Sequence, residues 1–439
     1  MIRFTLSLLA VVLITALPAR AETDIQEITT PGGINAWLVE EPSIPFVALE
    51  LRFRGGASLD IPEKRGAINL MSALLDEGAG DRDAREFSKA VDLLASSLSF
   101  DIGHDAFSVS ARFLTENTAP TMELLRDALT APQFNDEALT RVRAQLISVI
   151  QEELTDPNDI AGTTFDTLVY GDHPYAYSIM GTVDGVTALT REDLIEAHSR
   201  VLTRDRIYVS AVGDINAEEL SALIDTLLEG LPETGPALPD RVDPNLPGGI
   251  KVVDYDTPQS VVRFAQPGIG RFDDDFFAAY LLNHILGGGG FESRLMTEVR
   301  EKRGLTYGVY SYLSIPDYAN TWEGSVASAN DRVAEAISVI RDEWTKMRDK
   351  GVTAEELENA KTYLTGAYPL RFDGNAPIAN IAVNMQYDAL PTDYIRTRNG
   401  KVEAVTLEQI NRVARELLDP DQLTFVVVGQ PEGLDATIE

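Results

Sequence analysis

The 439-residue chain contains no cysteine. That excludes disulfides, thiolate zinc and iron–sulfur sites, and a cysteine nucleophile. Basic residues are scarce: 37 Lys and Arg stand against 69 Asp and Glu, for a net charge of −32. Phosphate contacts need clustered cations, so this balance argues against a nucleic-acid partner. Histidine is scarcer still. The four histidines, at 104, 173, 198 and 284, include no two that are three or four residues apart, so no helix can present a paired-histidine metal site. There is also no Gly-x-Ser-x-Gly elbow and no recognisable Ser/His/Asp signature. What the chain does have is 44% hydrophobic residues and a length that predicts two or three domains.

The N-terminus carries the one long apolar run. Arg3 precedes Phe4 to Leu17, and Ala19-Arg20-Ala21 forms a small-x-small cleavage site. This pattern predicts a signal peptide over 1–21, removed after Ala21, and places the mature chain in the periplasm or otherwise outside the cytosol. The run is short for a membrane span, so no insertion is expected once it is cleaved. Cleavage removes Arg3 and Arg20 and no acid, moving the charge from −32 to −34.

The rest of the chain repeats. Residues 186–213 lie without gaps over 402–429 at an offset of 216, with eight of 28 positions identical. Each copy opens on a threonine N-cap, Thr190 or Thr406, with Asp193 or Gln409 in the capping-box position; an apolar helical face and a β-branched strand ending in Gly follow. The expectation is two tandem homologous α+β domains, 22–232 and 250–439, joined by a Pro- and Gly-rich linker at 233–249. Each should be a mixed or antiparallel sheet with helices on one face. Val47–Phe53 alternates as a strand, and Ala67–Leu75 reads as a helix. Asp83 and Glu86 cap a helical stripe running from Phe87 to Leu98, and Leu139, Val142, Leu146, Val149 and Ile150 mark one buried face.

The most distinctive local motif is Leu286–Tyr312, LGGGGFESRLMTEVREKRGLTYGVYSY. Its four glycines lack the Gly-Lys-Ser/Thr of a phosphate loop. Ser293 to Arg303 reads as a helix stopped by Gly304, and Tyr307 as the start of an aromatic strand. The stretch resembles the second-domain signature of the pitrilysin/insulinase zinc metallopeptidases, the inverzincins, which include mitochondrial processing peptidase. The likeness extends to Gly66, the run Tyr170-Gly171-Asp172-His173-Pro174-Tyr175, Gly181 and both Val-Gly strand ends.

That resemblance implies a chain forming one half of a clamshell, with Arg300 and Tyr307 binding the substrate backbone. A guanidinium and a phenol can both donate to a peptide carbonyl or its oxyanion. It also implies an H-x-x-E-H zinc motif on the first helix, but that motif falls on Asn69-Leu70-Met71-Ser72-Ala73, and both histidines and the glutamate are gone. The further glutamate ligand falls on Val149, with Glu152 and Glu153 close by. This chain is therefore expected to hold no cofactor and to have no catalysis of its own. Its expected role is as the substrate-binding subunit of a heterodimeric peptidase whose H-x-x-E-H-bearing partner holds the zinc. A homodimeric peptide-binding or scaffold protein is the alternative, and a peptidase with a displaced metal site a third.

Overall fold

The computed structural model describes residues 24–438, and the leader expected at 1–21 lies outside the described residues. The first half contributes β1 (Gln26–Thr29), β2 (Asn35–Glu40), β3 (Phe46–Arg54), a short hairpin β4 (Gly78–Ala79) and β5 (Arg82–Asp83), then β6 (Ser97–Ile102), β7 (Ala106–Leu114) and β8 (Ile207–Gly213). Apart from the hairpin, these strands form a six-stranded sheet in the order β1-β2-β8-β3-β7-β6, in which only β2 and β8 run parallel. The second half contributes β9 (Gly249–Asp254), β10 (Gln259–Pro267), β11 (Val309–Ser314), β12 (Thr321–Ala329) and β13 (Thr424–Gly429). Their order is β9-β13-β10-β12-β11, and only β9 and β13 run parallel. Apart from β1, the two sheets have one topology, so the duplication legible at 186–213 and 402–429 extends to five strands of each half.

Helices of the first half are α1 (Ala67–Ser72), α2 (Ala84–Leu93), α3 (Thr118–Thr130), α4 (Asp136–Glu153), α5 (Pro157–Tyr170), α6 (Val183–Ala188), α7 (Arg191–Val201) and α8 (Ala217–Leu227). Those of the second are α9 (Phe276–Asn283), α10 (Val333–Lys350), α11 (Ala354–Ala367), α12 (Asn375–Tyr387), α13 (Tyr394–Ala404) and α14 (Leu407–Leu417). One face of the first sheet buries Leu49, Leu51, Phe53 and Val109 against its own helices, including Met71 of α1, Leu125 of α3 and Leu194 of α7. Phe264, Trp322, Trp344 and Phe425 form the matching core of the second half. No helix among the described residues is long and apolar enough to cross a membrane.

The opposite faces are covered by exchange. Helix α12 lies on β3 and β8 of the first sheet, with Ala376 and Ala379 packed on Ala48 and Val212. Helix α5 lies on β10 and β13 of the second sheet, with Ala161, Phe165 and Val169 packed near Ala265, Val426 and Val428. Small side chains on α12 let the helix approach the sheet closely, which maximises dispersion contact. The helices expected on one face are there, and each half lends the other a helix for its second face.

Several local boundaries differ from the sequence reading. Helix α1 ends at Ser72, although Ile68, Met71, Leu74 and Leu75 are all buried as the periodicity required. Helix α2 has the Asp83/Glu86 capping box, but Leu98 belongs to β6. The helix stops at the positive-φ residue Ala95 (φ +49°), so the periodic match at Leu98 was a coincidence of spacing. Val149 is 42% exposed and not part of the buried face of α4. Thr406 caps α14 by accepting from Gln409 N, while the Gln409 side chain reaches Asp275 (3.3 Å) in place of closing a box.

The segment between the sheets is pinned along its length. Arg206 Nη2 donates to Pro236 O (2.6 Å), Val242 N to Tyr318 O (2.9 Å) and Asn245 N to Val169 O (2.8 Å).

Candidate substrate-binding site

Of the four residues on which the resemblance puts zinc ligands, Asn69 and Ser72 lie on α1, Ala73 directly follows it, and Val149 lies on α4, which packs against α1. Asn69 places its amide nitrogen 2.9 Å from Met180 Sδ, and Ser72 is buried with its hydroxyl donating to Phe100 O on β6 (3.4 Å). Ala73 is exposed and offers no donor atom, and Val149 presents an apolar side chain. Zinc requires imidazole, thiolate or carboxylate ligands in tetrahedral array. These four residues supply none, so they do not fit the ion. Glu153 lies one turn on, its carboxyl pKa raised by burial, but among the described residues no group of three His, Asp or Glu side chains gathers closely enough to hold a cation.

The histidines are occupied structurally. His173 Nδ1 accepts from Tyr175 N (3.2 Å), and its Nε2 lies 3.1 Å from Asp240 O. His198 Nε2 lies 2.8 Å from Leu129 O, and His284 stacks on Tyr363 with centroids 5.1 Å apart. His104 packs edge-on to Tyr175 (5.4 Å), and burial lowers its pKa to about 4, so it is neutral at physiological pH.

Arg300 and Tyr307 belong to the second half. The chain from α9 runs into a π-helical turn, His284–Gly288, and after the Gly290–Glu292 turn into a second, Met296–Glu301, which carries Arg300. Such widened turns recur at functional sites. The glycines serve close packing: a Cβ on Gly287 would lie 2.4 Å from Ser311 Oγ and 2.8 Å from Ser311 N on β11. Gly304 (φ +61°) ends the helix as the sequence required. The guanidinium of Arg300 sits 4.9 Å from the ring centroid of Phe291, itself 64% exposed, and no carboxylate pairs with it among the described residues.

Tyr307 lies two residues before β11, not within it. Its neighbours are tied down: Leu305 is buried, and the Thr306 hydroxyl is within bonding distance of Ala327 O (2.7 Å) and Gly308 O (2.8 Å). The Tyr307 side chain is nevertheless 88% exposed. A fixed backbone thus holds a phenol in solvent beside β11, the edge strand of the second sheet.

A polar junction between the halves escaped the sequence reading, although the notable run at 170–175 passes through it. Tyr175 Oη donates to Asp105 Oδ1 (2.5 Å), and Asp317 N donates to Asp105 Oδ2 (3.0 Å). The Tyr387 phenol lies 2.7 Å from Asp317 Oδ2, and Arg54 pairs with Asp317 (3.0 Å) while stacking on the Tyr387 ring (4.1 Å). Burial raises the pKa of Asp105, Asp317 and both tyrosines. None of Asn69, Ser72, Ala73 and Val149 belongs to the network, and its chemistry is that of a rigid joint.

Comparison with known proteins bears on the family and the fold. Residues 36–183 match the family model described as insulinase (peptidase family M16), and residues 188–364 match that of the peptidase M16 inactive domain. The chain is 26% identical over 390 residues to the non-peptidase homolog YmxG of Helicobacter pylori, covering 89% of this chain and 90% of that one. It is 25% identical over 401 residues to an uncharacterized zinc protease of Streptomyces coelicolor, covering 90% of this chain and 87% of that one. A crystal structure of a peptidase M16 inactive domain from Pseudomonas fluorescens superposes with a TM-score of 0.86 at 28% identity, covering 95% of this chain and 100% of the other. A protease from Helicobacter pylori shares the fold, with a TM-score of 0.82 at 17% identity, covering 93% of this chain and 99% of that one.

Proposed function

This chain belongs to the M16 peptidase family, and from that premise we propose that it is the non-catalytic, substrate-binding subunit of a two-chain zinc peptidase. Its partner is a homologous exported chain that carries H-x-x-E-H, holds the zinc and activates water. This subunit supplies Arg300 and Tyr307 across the chamber, so positioning is separated from hydrolysis. The observation that carries the reading is Tyr307: the residue is 88% exposed on a tied-down backbone, seven positions after an arginine that no carboxylate pairs with among the described residues. The donor-poor set Asn69, Ser72, Ala73 and Val149 supports placing the metal in another chain. The substrates are unfolded peptides in the periplasm, where the leader at 1–21 would deliver the protein.

The test is capture of the tagged mature chain from its native periplasm. A stoichiometric partner bearing H-x-x-E-H is the expected result, and recovery of only this chain would favour the homodimeric peptide-binding alternative. In the reconstituted pair, Tyr307→Phe should lower peptide turnover by about a hundredfold or more, the scale of a lost oxyanion donor, with assembly unchanged. Unaltered turnover would remove the role assigned to Tyr307.

A further inference from the structure

A cleft of ≈ 800 Å³ opens between the halves, away from the Arg300–Tyr307 segment. The first half lines it with Arg52 of β3, Ser108 of β7 and the turn at His104 and Asp105; the second half closes it with α9, the turn Tyr368–Arg371, and the α12–α13 region. Its volume is in the range of small-ligand sites.

The charge in this cleft is the reverse of that on the chain. Four arginines, Arg52, Arg271, Arg371 and Arg398, line it together with two aspartates, Asp105 and Asp388. Asp388 is taken by Arg271 (3.2 Å), and Asp105 accepts from Tyr175 and from the Asp317 amide. Arg52, Arg371 and Arg398 then have no carboxylate within ion-pairing distance among the described residues, in a chain with 69 acids to 37 bases.

Arg398 is 5% exposed; its guanidinium donates to Leu364 O (2.8 Å), Asn399 Oδ1 (2.9 Å) and Tyr280 Oη (3.3 Å) and is flanked by the rings of Tyr280 and Tyr368. Arg52 donates to Asn380 Oδ1 (2.9 Å), while its Nε is buried with no acceptor. A guanidinium does not discharge on burial, and Glu50, Asp388 and Asp101 act on Arg52 only from beyond ion-pairing distance, so its charge is compensated in part. The remaining wall is apolar and aromatic, with Phe276, Phe277, Ile381, Met385 and Leu390.

We propose that this cleft binds the free C-terminal carboxylate of a short peptide whose last side chains are apolar or aromatic. The unpaired arginines take the carboxylate, and the aromatic wall takes the side chains. A bare inorganic anion would leave that wall unused. The inference rests on the peptide-binding reading of the chain, but its test needs no partner subunit and no turnover.

The test is calorimetric titration of the mature chain with acetyl-Leu-Phe-Phe as the free acid and as the C-terminal amide. The acid should bind at least about tenfold more tightly than the amide, because only the acid forms charge-assisted bonds. Arg371→Gln, at an exposed position, should weaken acid binding by about fivefold or more and leave the melting temperature unchanged. Lys89→Gln, an exposed residue of α2, removes the same charge and should leave affinity unaltered. Equal binding of acid and amide, equal loss in both variants, or no binding of either peptide would overturn the proposal. Acetyl-phenylalanine alone binding as tightly as the tripeptide would also overturn it, in favour of a small aromatic acid. None of these outcomes bears on the turnover assay of the Tyr307 variant.

Discussion

Gly66 and Gly181 stand 115 positions apart in sequence and touch in space. A Cβ on Gly66 would lie 2.5 Å from Met180 O, and one on Gly181 would lie 2.3 Å from Arg65 O. Both backbones are left-handed, at φ +90° and +79°. Helix α1 starts at this crossing, its first amides taken by the Asp60 carboxylate (Gly66 N 2.8 Å, Ile68 N 3.0 Å). Gly66→Ala should therefore destabilise the protein by at least ~1–2 kcal/mol from backbone conformation alone, read as a lower urea midpoint.

Asp166 gives a second residue-scale prediction. Burial on α5 raises its pKa from 3.8 to about 7, with Glu323 adding to the rise and Arg263 opposing it. The folded state therefore holds this proton at pH values where the unfolded chain has released it. The group's stabilising contribution is complete below about pH 4 and is lost as the pH rises through about 7. Asparagine mimics the neutral acid. Asp166→Asn should lose less stability than the parent between pH 5 and pH 8, by roughly 1–3 kcal/mol in denaturant titrations at the two pH values.

At the scale of elements, the exchanged helices α5 and α12 matter most. Each belongs by sequence to one half and covers the sheet of the other. Ala379 is fully buried in contact with the first sheet, in a cluster with Ala48 and Val212. Ala379→Phe should cost about 1–3 kcal/mol by overpacking that junction, seen as a fall in urea midpoint with an unchanged slope. Periodicity did identify the buried positions of α1 and the caps of α2 and α7, because those follow from local spacing and hydrogen bonding. It failed at Leu98, which lies on β6 beyond the end of α2, and at Val149, which is exposed on α4.

At the scale of the whole molecule, reciprocal helix exchange and the Asp105–Tyr175–Asp317–Tyr387 junction make the two halves one body. The linker at 233–249 carries connectivity, but most of the inter-half contact lies elsewhere. A protease site inserted after Thr234, in an exposed stretch, should be cut without separating the halves. The cut protein should elute as one species on size exclusion, since α12 leaves the first sheet only by exposing Ala48, Val212 and Trp37. Separation of the pieces under native conditions would show that the linker is what holds the halves together.

The sequence by itself determined the duplication, the α+β class and the family, and it put side chains without a zinc-ligating group at Asn69, Ser72, Ala73 and Val149. These are statements about residue type and short-range spacing, and residue identity is what a metal or a turn responds to. Only the tertiary structure decided that each half covers the other's sheet and that Tyr307 stands in solvent while its neighbours are anchored. It alone brought Arg52, Arg371 and Arg398 around one cleft from positions up to 346 residues apart. Contacts at that separation depend on how sheets and helices stack, and no local pattern of side chains encodes them.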